Sequence, residues 1–224
     1  MMSNQRVRVK ICGITRLEDA VTAVRAGVDA LGFVFHEQNP RYIDPEGAKA
    51  ILEELPPFVD TVGVFVDKKR KEAEEIIAYC RLDYVQLHGE ESPKYCERLA
   101  RFSSPCALLK AFRGGPEFRP ESMADYAPFV KGFLLDISTN MEKRGGGEVF
   151  DKSAMASLST LRPCLLAGSL DVSNITQALK TFQPFGVDAN VGIEKKPGVK
   201  DYQLMDAFLQ KIRLFEQQKL MQQE

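Results

Sequence analysis

The chain has no tryptophan, only two histidines, five cysteines and no excess of charge of either sign. Each shortage closes a class of function. Lys and Arg number 30 against 31 Asp and Glu, a net charge of −1. A nucleic-acid or membrane-surface protein normally shows a basic block, so neither partner is expected. No stretch approaches the roughly 18 apolar residues that span a bilayer. The opening Met-Met-Ser-Asn-Gln-Arg lacks the apolar core of a secretion signal. The cysteines (12, 80, 96, 106 and 164) are odd in number and form no C-x-x-C pair. That usage fits a reducing cytoplasm and gives neither a disulfide framework nor a zinc site. The two histidines, His36 and His88, have no metal-ligand spacing, so no metal is expected.

What the chain does have is alternation. Eight β-rich runs recur with helical patterns between them: Val7–Ile11, Ala30–Phe35, Thr61–Val66, Tyr84–Leu87, Ala107–Ala111, Gly132–Leu135, Cys164–Ala167 and Gly186–Ala189. Their starts lie at the spacing of β-loop-α-loop units. Strict alternation predicts a parallel sheet, and eight repeats favour a single-domain (β/α)8 TIM barrel over an open doubly wound sheet. A chain of 224 residues suits one such domain, and no Pro-, Gly- or Ser-rich linker divides it. The polar stretch from about residue 216 to 224 reads as a fraying tail. Surface charge is compatible with a monomer or a homodimer.

Helical signals fill the gaps. Thr15 and Glu18 match a capping box, so a helix is predicted directly after Thr15, with Leu17, Val21 and Val24 inward and Gly27 as its stop. Asp44-Pro45 reads as N-cap and first helical residue. Ser92-Pro93 opens another helix with Tyr95, Cys96 and Leu99 inward. Pro116–Tyr126 is a weak helical pattern, and Asp151–Leu158 and Ser173–Phe182 are stronger ones. Leu204, Ala207, Phe208 and Ile212 form one face of the last.

In a barrel, function sits at the carboxyl ends of the strands. Strand one ends at Cys12, with Arg8, Lys10 and Cys12 on one side and Val7, Val9 and Ile11 on the other. Cys12 is either a small packing residue or a reactive thiol. Arg41, in the loop after strand two, would clamp a carboxylate if it did more than sit in solvent. Gln86 and His88 share a face of strand four with Tyr84, which suits a ligand as well as a structural histidine. Strand six ends at Asp136. Gly168-Ser169 after strand seven, and Asp188 followed by Asn190-Val191-Gly192 after strand eight, stand where such barrels commonly hold a phosphate. The same glycines also suit ordinary turns. Arg144-Gly145-Gly146-Gly147 is a cover loop or a slack connection.

Together these stretches resemble the phosphoribosylanthranilate isomerase family of tryptophan biosynthesis. The likeness runs through KICGIT (Lys10–Thr15), GFVF (Gly32–Phe35), PRYI (Pro40–Ile43), VGVFVD (Val62–Asp67), VQLHG (Val85–Gly89), Leu134-Leu135-Asp136, Phe150-Asp151, Leu166-Ala167-Gly168 and GIEKKPGVKD (Gly192–Asp201). It implies an Amadori rearrangement of N-(5-phosphoribosyl)anthranilate to 1-(2-carboxyphenylamino)-1-deoxyribulose 5-phosphate, without cofactor or metal. It implies Cys12 as general base, Asp136 as general acid, Arg41 on the anthranilate carboxylate, and the phosphate at the turns of Gly168 and Gly192. Gln86, His88 and Asp188 are expected to meet the substrate, and Ser169, Asn190 and Val191 the phosphate. This chain departs from the family pattern in the glycine-rich loop, at Ser169 in place of a glycine, and at Val191 in place of a serine.

The chemistry needs one group protonated and another deprotonated at the start. An ordinary cysteine is only about 3% thiolate at neutral pH. Lys10, about 6.6 Å before Cys12 on the same face, is expected to favour the thiolate. An ordinary aspartic acid is ionised at that pH, so Asp136 as an acid would need desolvation or a negative ligand to hold its proton.

Overall fold

Alternation along the strands decides what lies inside the sheet and what lies against the helices. The computed structural model describes residues 6–102, 106–114, 120–137 and 159–222. In β1 (Arg8–Cys12), Val9 and Ile11 pack into the main hydrophobic cluster, while Lys10 and Cys12 take the opposite side. The same parity runs through β2 (Ala30–Val34), β3 (Asp60–Phe65), β4 (Tyr84–Leu87), β5 (Ala107–Arg113), β6 (Gly132–Asp136), β7 (Cys164–Ala167) and β8 (Gly186–Ala189). Neighbouring strands are all parallel, and β8 returns to pair with β1. The sheet is therefore a closed eight-stranded barrel, as the eight repeats predict, and the open-sheet alternative is excluded.

Leu31, Phe33, Phe65, Val85, Leu87, Phe133, Leu135, Leu166 and Val187 point outward into the layer beneath the helices. Each fully buried side chain of this size is worth about 1.5–3 kcal/mol. The helices that cover them are α1 (Leu17–Arg25), α2 (Pro45–Leu52), α3 (Arg70–Cys80), α4 (Pro93–Phe102), α5 (Ile175–Phe182) and α6 (Tyr202–Met221). Asp44 caps α2 by accepting from the Gly47 amide at 2.7 Å, and Gly27 follows α1 at φ +82°.

Some expectations change. The Thr15 capping box does not form: the Thr15 hydroxyl donates to the Gly198 carbonyl at 2.6 Å, and α1 starts only at Leu17. The buried face of α1 is Asp19, Ala20 and Ala23, and Leu17 is exposed. Asp19 turns inward because it accepts from the Lys200 amide and the Tyr202 hydroxyl. In α6 the inward face is Met205, Phe208, Leu209 and Ile212, with Leu204 40% exposed. That helix continues to Met221, so the polar stretch from 216 to 221 is helical, with most of its side chains exposed. Of the weak pattern at Pro116–Tyr126, Pro120–Met123 forms a 3-10 turn. The Arg144–Gly147 loop and the Asp151–Leu158 helix lie outside the described residues. A hairpin not foreseen, β9 (Glu194–Lys196) with β10 (Val199–Lys200), follows β8. Its turn is Pro197-Gly198, a pair that signals such a bend.

One buried ion pair fixes the carboxyl end of β4. Lys110 Nζ donates to Glu91 Oε2 at 3.0 Å and to the Gly89 carbonyl at 2.7 Å, and Glu91 accepts from the amides of Asp67 and Gly89. Both side chains are 2% exposed. Removing one member would leave a buried charge alone, which typically costs about 3–5 kcal/mol. Glu91→Ala is therefore expected to lose about that much in urea unfolding; a loss under about 1 kcal/mol would show that water reaches Lys110.

Candidate active site

The site grows from two polar groups on the inner face of the barrel. The first joins β1 and β8. Lys10 and Asp188 are direct partners in the register, and Lys10 Nζ donates to Asp188 Oδ2 at 2.8 Å. Their side chains are 2% and 7% exposed. Burial would strip the Lys10 proton, but the Asp188 carboxylate and the neighbouring Cys12 hold it above the usual lysine range. Asp188 Oδ1 is buried without a protein partner among the described residues. Gly32 of β2 makes room: a Cβ there would lie 2.8 Å from Cys12 Sγ and 2.9 Å from Lys10 Nζ. Cys12 itself packs with Val34 and Val64.

Lys10 pulls the Cys12 thiol toward ionisation, as expected, but burial is the larger effect and carries it above the ordinary cysteine range. Asp188 adds to the rise and Lys200 opposes it. Removing a thiol from water costs its charged form more than the paired ammonium returns.

The second group joins β4 and β6. Gln86 is buried, and its Nε2 lies 3.0 Å from His88 Nδ1. His88 Nε2 in turn lies 3.4 Å from Asp136 Oδ2, with both side chains about one-fifth exposed. The two groups share one row of the sheet: Asp136 pairs with Ala167, Ala167 with Asp188, and Asp188 with Lys10. Only a small residue separates the two aspartates, two strand spacings or about 10 Å apart.

Around this row stand the loops. Arg41 makes a two-pronged contact with Glu194, through Nε to both oxygens at 3.0 Å and a terminal nitrogen to Oε2 at 2.7 Å. Glu194 was not singled out from the sequence, nor was Lys200, which donates to it at 3.0 Å. Both lie within the GIEKKPGVKD stretch, where a buried Glu-Lys pair across a Pro-Gly turn was the available signal. Burial opposes ionisation of Glu194, yet Arg41 and Lys200 hold its carboxyl below the usual range. Asn190 is tied to the same network, its Oδ1 accepting from Lys200 at 2.9 Å. Val191 and Gly192 open a 3-10 turn, and Val191 is 59% exposed. A Cβ on Gly192 would collide with the Leu170 carbonyl, so the loops after β7 and β8 touch there. Gly168 and Ser169 both take positive φ, +99° and +48°. For Ser169 that is an uncommon conformation. It is held by Asn174, which donates to the Ser169 carbonyl at 2.8 Å.

No grouping of three or more His, Cys, Asp or Glu suited to a metal ion occurs among the described residues. A cavity of about 840 Å³ opens at the amino ends of β1, β7 and β8, beside Val7, Pro163 and Phe185. None of the candidate residues lines it, and that end of a barrel serves stability.

A family model described as N-(5'phosphoribosyl)anthranilate (PRA) isomerase matches residues 9–211. The chain belongs to this isomerase family. An N-(5'-phosphoribosyl)anthranilate isomerase of Geobacter sp. (strain M21) is 46% identical over 203 residues, 90% of this chain and 96% of the relative. A crystal structure of a phosphoribosyl anthranilate isomerase in complex with reduced 1-(o-carboxyphenylamino)-1-deoxyribulose 5-phosphate superposes with a TM-score of 0.80 at 38% identity, covering 92% of this chain and 98% of that one. Monomers of the dimeric enzyme from Thermotoga maritima superpose with a TM-score of 0.78 at 35% identity, covering 92% and 98%. The PRA isomerase likeness thus spans every strand that carries a candidate residue.

The thiol chemistry gives a direct check. Iodoacetamide is expected to alkylate Cys12 slowly at neutral pH, with a rate that rises only above the ordinary cysteine range. Lys10→Met should move that rise to still higher pH, since the lysine opposes the effect of burial. An unchanged profile in Lys10→Met would separate the lysine from the thiol.

Proposed function

We propose that this protein carries out the Amadori rearrangement of N-(5-phosphoribosyl)anthranilate to 1-(2-carboxyphenylamino)-1-deoxyribulose 5-phosphate, a step of tryptophan biosynthesis. The observation that supports the reading is that an inward thiol ends β1 and a carboxyl ends β6, both at the same, carboxyl end of one barrel. Asp136 gives a proton to the furanose oxygen, and the ring opens to an iminium. Cys12, once ionised, takes the proton from the sugar's C2′, and the enolamine tautomerises to the ketone. A thiol held above its ordinary range is the rarer base but the stronger one. Its ionisation is favoured once the ring has opened, when the iminium sets a positive charge against the effect of burial.

The ends of the substrate go to the loops. The anthranilate carboxylate meets the edge of the Arg41 guanidinium that Glu194 leaves available. Asp188 Oδ1, buried without a protein partner among the described residues, accepts from a sugar hydroxyl. The phosphate takes the backbone amides of Gly168, Ser169, Val191 and Gly192, an arrangement that needs no side-chain hydroxyl. Asn190 supports this turn through Lys200. No metal or cofactor has a step in this scheme. The reading is made for a monomer or a homodimer. All five cysteines are free thiols, which suits the reducing cytoplasm we assign to it.

A fluorescence assay with phosphoribosylanthranilate tests this. Cys12→Ala and Asp136→Asn should each lower kcat by about 10² or more with modest change in KM, as for a positioned proton-transfer group. Near-normal turnover in either variant removes that residue from the mechanism. Arg41→Ala should instead raise KM, and an unchanged KM would place the carboxylate elsewhere.

A further inference from the structure

The Gln86–His88 pair has a feature that direct substrate contact does not explain. Both ring nitrogens of His88 face protein groups, Nδ1 toward the Gln86 amide at 3.0 Å and Nε2 toward Asp136 at 3.4 Å. An amide nitrogen can only donate, so Nδ1 must accept, and a neutral ring then carries its proton on Nε2. That proton faces a carboxylate oxygen. Turning the amide over would make Nδ1 the protonated nitrogen and set an Nε2 lone pair against the Asp136 carboxylate. It would also leave the amide nitrogen, with both its N–H groups, at the buried position where Gln86 Oε1 now has no protein partner among the described residues.

The backbone under His88 is held as firmly as the ring. Its amide donates to the Phe65 carbonyl at 2.8 Å. The next residue, Gly89, donates to both oxygens of Glu91 and accepts from Lys110. A buried ion pair thus fixes the loop that carries the imidazole.

We propose that Gln86 and His88 are positioning residues for Asp136: Gln86 sets the His88 tautomer, and His88 Nε2–H anchors one carboxylate oxygen so that the other faces the sugar. This rests on Asp136 being the acid of the rearrangement. When Asp136 gives up its proton, the new carboxylate finds a donor already aimed at one oxygen. The 3.4 Å separation then shortens to a full hydrogen bond, as catalytic contacts do when the complex forms. No proton needs to leave His88.

With only two histidines in the chain, spectra of the whole enzyme labelled with ¹⁵N-histidine contain two rings, and His36→Gln assigns them. Recorded with the ring neutral, His88 is expected to show a pyrrole-type Nε2 and a pyridine-type Nδ1. Gln86→Glu, which offers only an acceptor, should reverse the pattern. Gln86→Leu should lower kcat about tenfold, the loss of roughly one charge-assisted hydrogen bond, with KM within about twofold. His88→Gln, which keeps an N–H near the Nε2 position, should retain more kcat than His88→Leu. An Nδ1-protonated ring in the unaltered enzyme overturns the proposal. So does equal kcat for His88→Gln and His88→Leu, a comparison that stands even where Gln86→Leu does not fold. A fully active Asp136→Asn would overturn the acid assignment and this role with it, while the tautomer is still read directly from the spectrum.

Discussion

The ion pair between Lys10 and Asp188 is the constraint on which the rest of the molecule turns. It spans the seam where β8 closes on β1, between two residues that the register sets side by side. Burying two charges seldom adds net stability, because desolvation consumes most of the attraction. What such a pair does supply is register. A slip of one residue along β8 would turn Asp188 outward and leave Lys10 alone inside the barrel, a state that costs several kcal/mol. The same pair lays a positive and a negative charge directly beneath Cys12, so the closing of the barrel and the tuning of the thiol are one event. Gly32 belongs to this arrangement, since a side chain on that neighbouring strand would occupy the space of both the thiol and the ammonium.

The electrostatics of the thiol follow from competition between depth and charge. Burial acts on Cys12 more strongly than Lys10 does, and Asp188, by partnering the lysine, takes part of its influence away. The opposite side of the barrel is built differently. Asp136 keeps partial contact with solvent and faces an imidazole. A thiol kept protonated and a carboxyl near a donor are the reverse of what the proposed reaction needs at its start. In the proposed reading the anionic ends of the substrate and the water it displaces favour the protonated form of Asp136, whereas the thiolate of Cys12 is favoured by the positive charge of the iminium that forms when the ring opens.

Much of this was legible in the sequence because a strand's alternation is a local property. The inward parity of Lys10 and Cys12, and of Gln86 and His88, follows from spacing alone. Each of the eight strands starts within one residue of its expected position. What failed to appear depended on partners distant in the chain. Thr15 has the right neighbours for a capping box, but a carbonyl 183 residues away takes its hydroxyl. Leu17 and Leu204 fit helical stripes, but the deep sides of their helices are set by Asp19 meeting Lys200 and Tyr202, and by Met205 and Leu209 meeting the core. Glu194 is invisible as a partner of Arg41 for the same reason. The Lys10 effect on Cys12 has the expected sign, and only its size against burial needed coordinates.

Of the departures from the family pattern, Ser169 and Val191 lie among the described residues, and neither side chain belongs to the network of charges beside them. Arg41 is bound to Glu194, Glu194 to Lys200, and Lys200 to Asn190, which adjoins the turn at Val191-Gly192. Lys200 stays in this chain although burial lowers its hold on a proton, because Glu194 pulls the other way. In the proposed reading, the Arg41 end of this chain takes the carboxylate of the substrate and the Asn190 end borders its phosphate. The distance between the two anionic ends is then fixed by protein–protein ion pairs rather than by hydroxyls that touch the ligand. Replacing a serine with Val191 removes one such hydroxyl but leaves the backbone amide and the chain of charges behind it. A site anchored in this way tolerates variation at its rim, whereas a change at Glu194 or Lys200 would release both ends together.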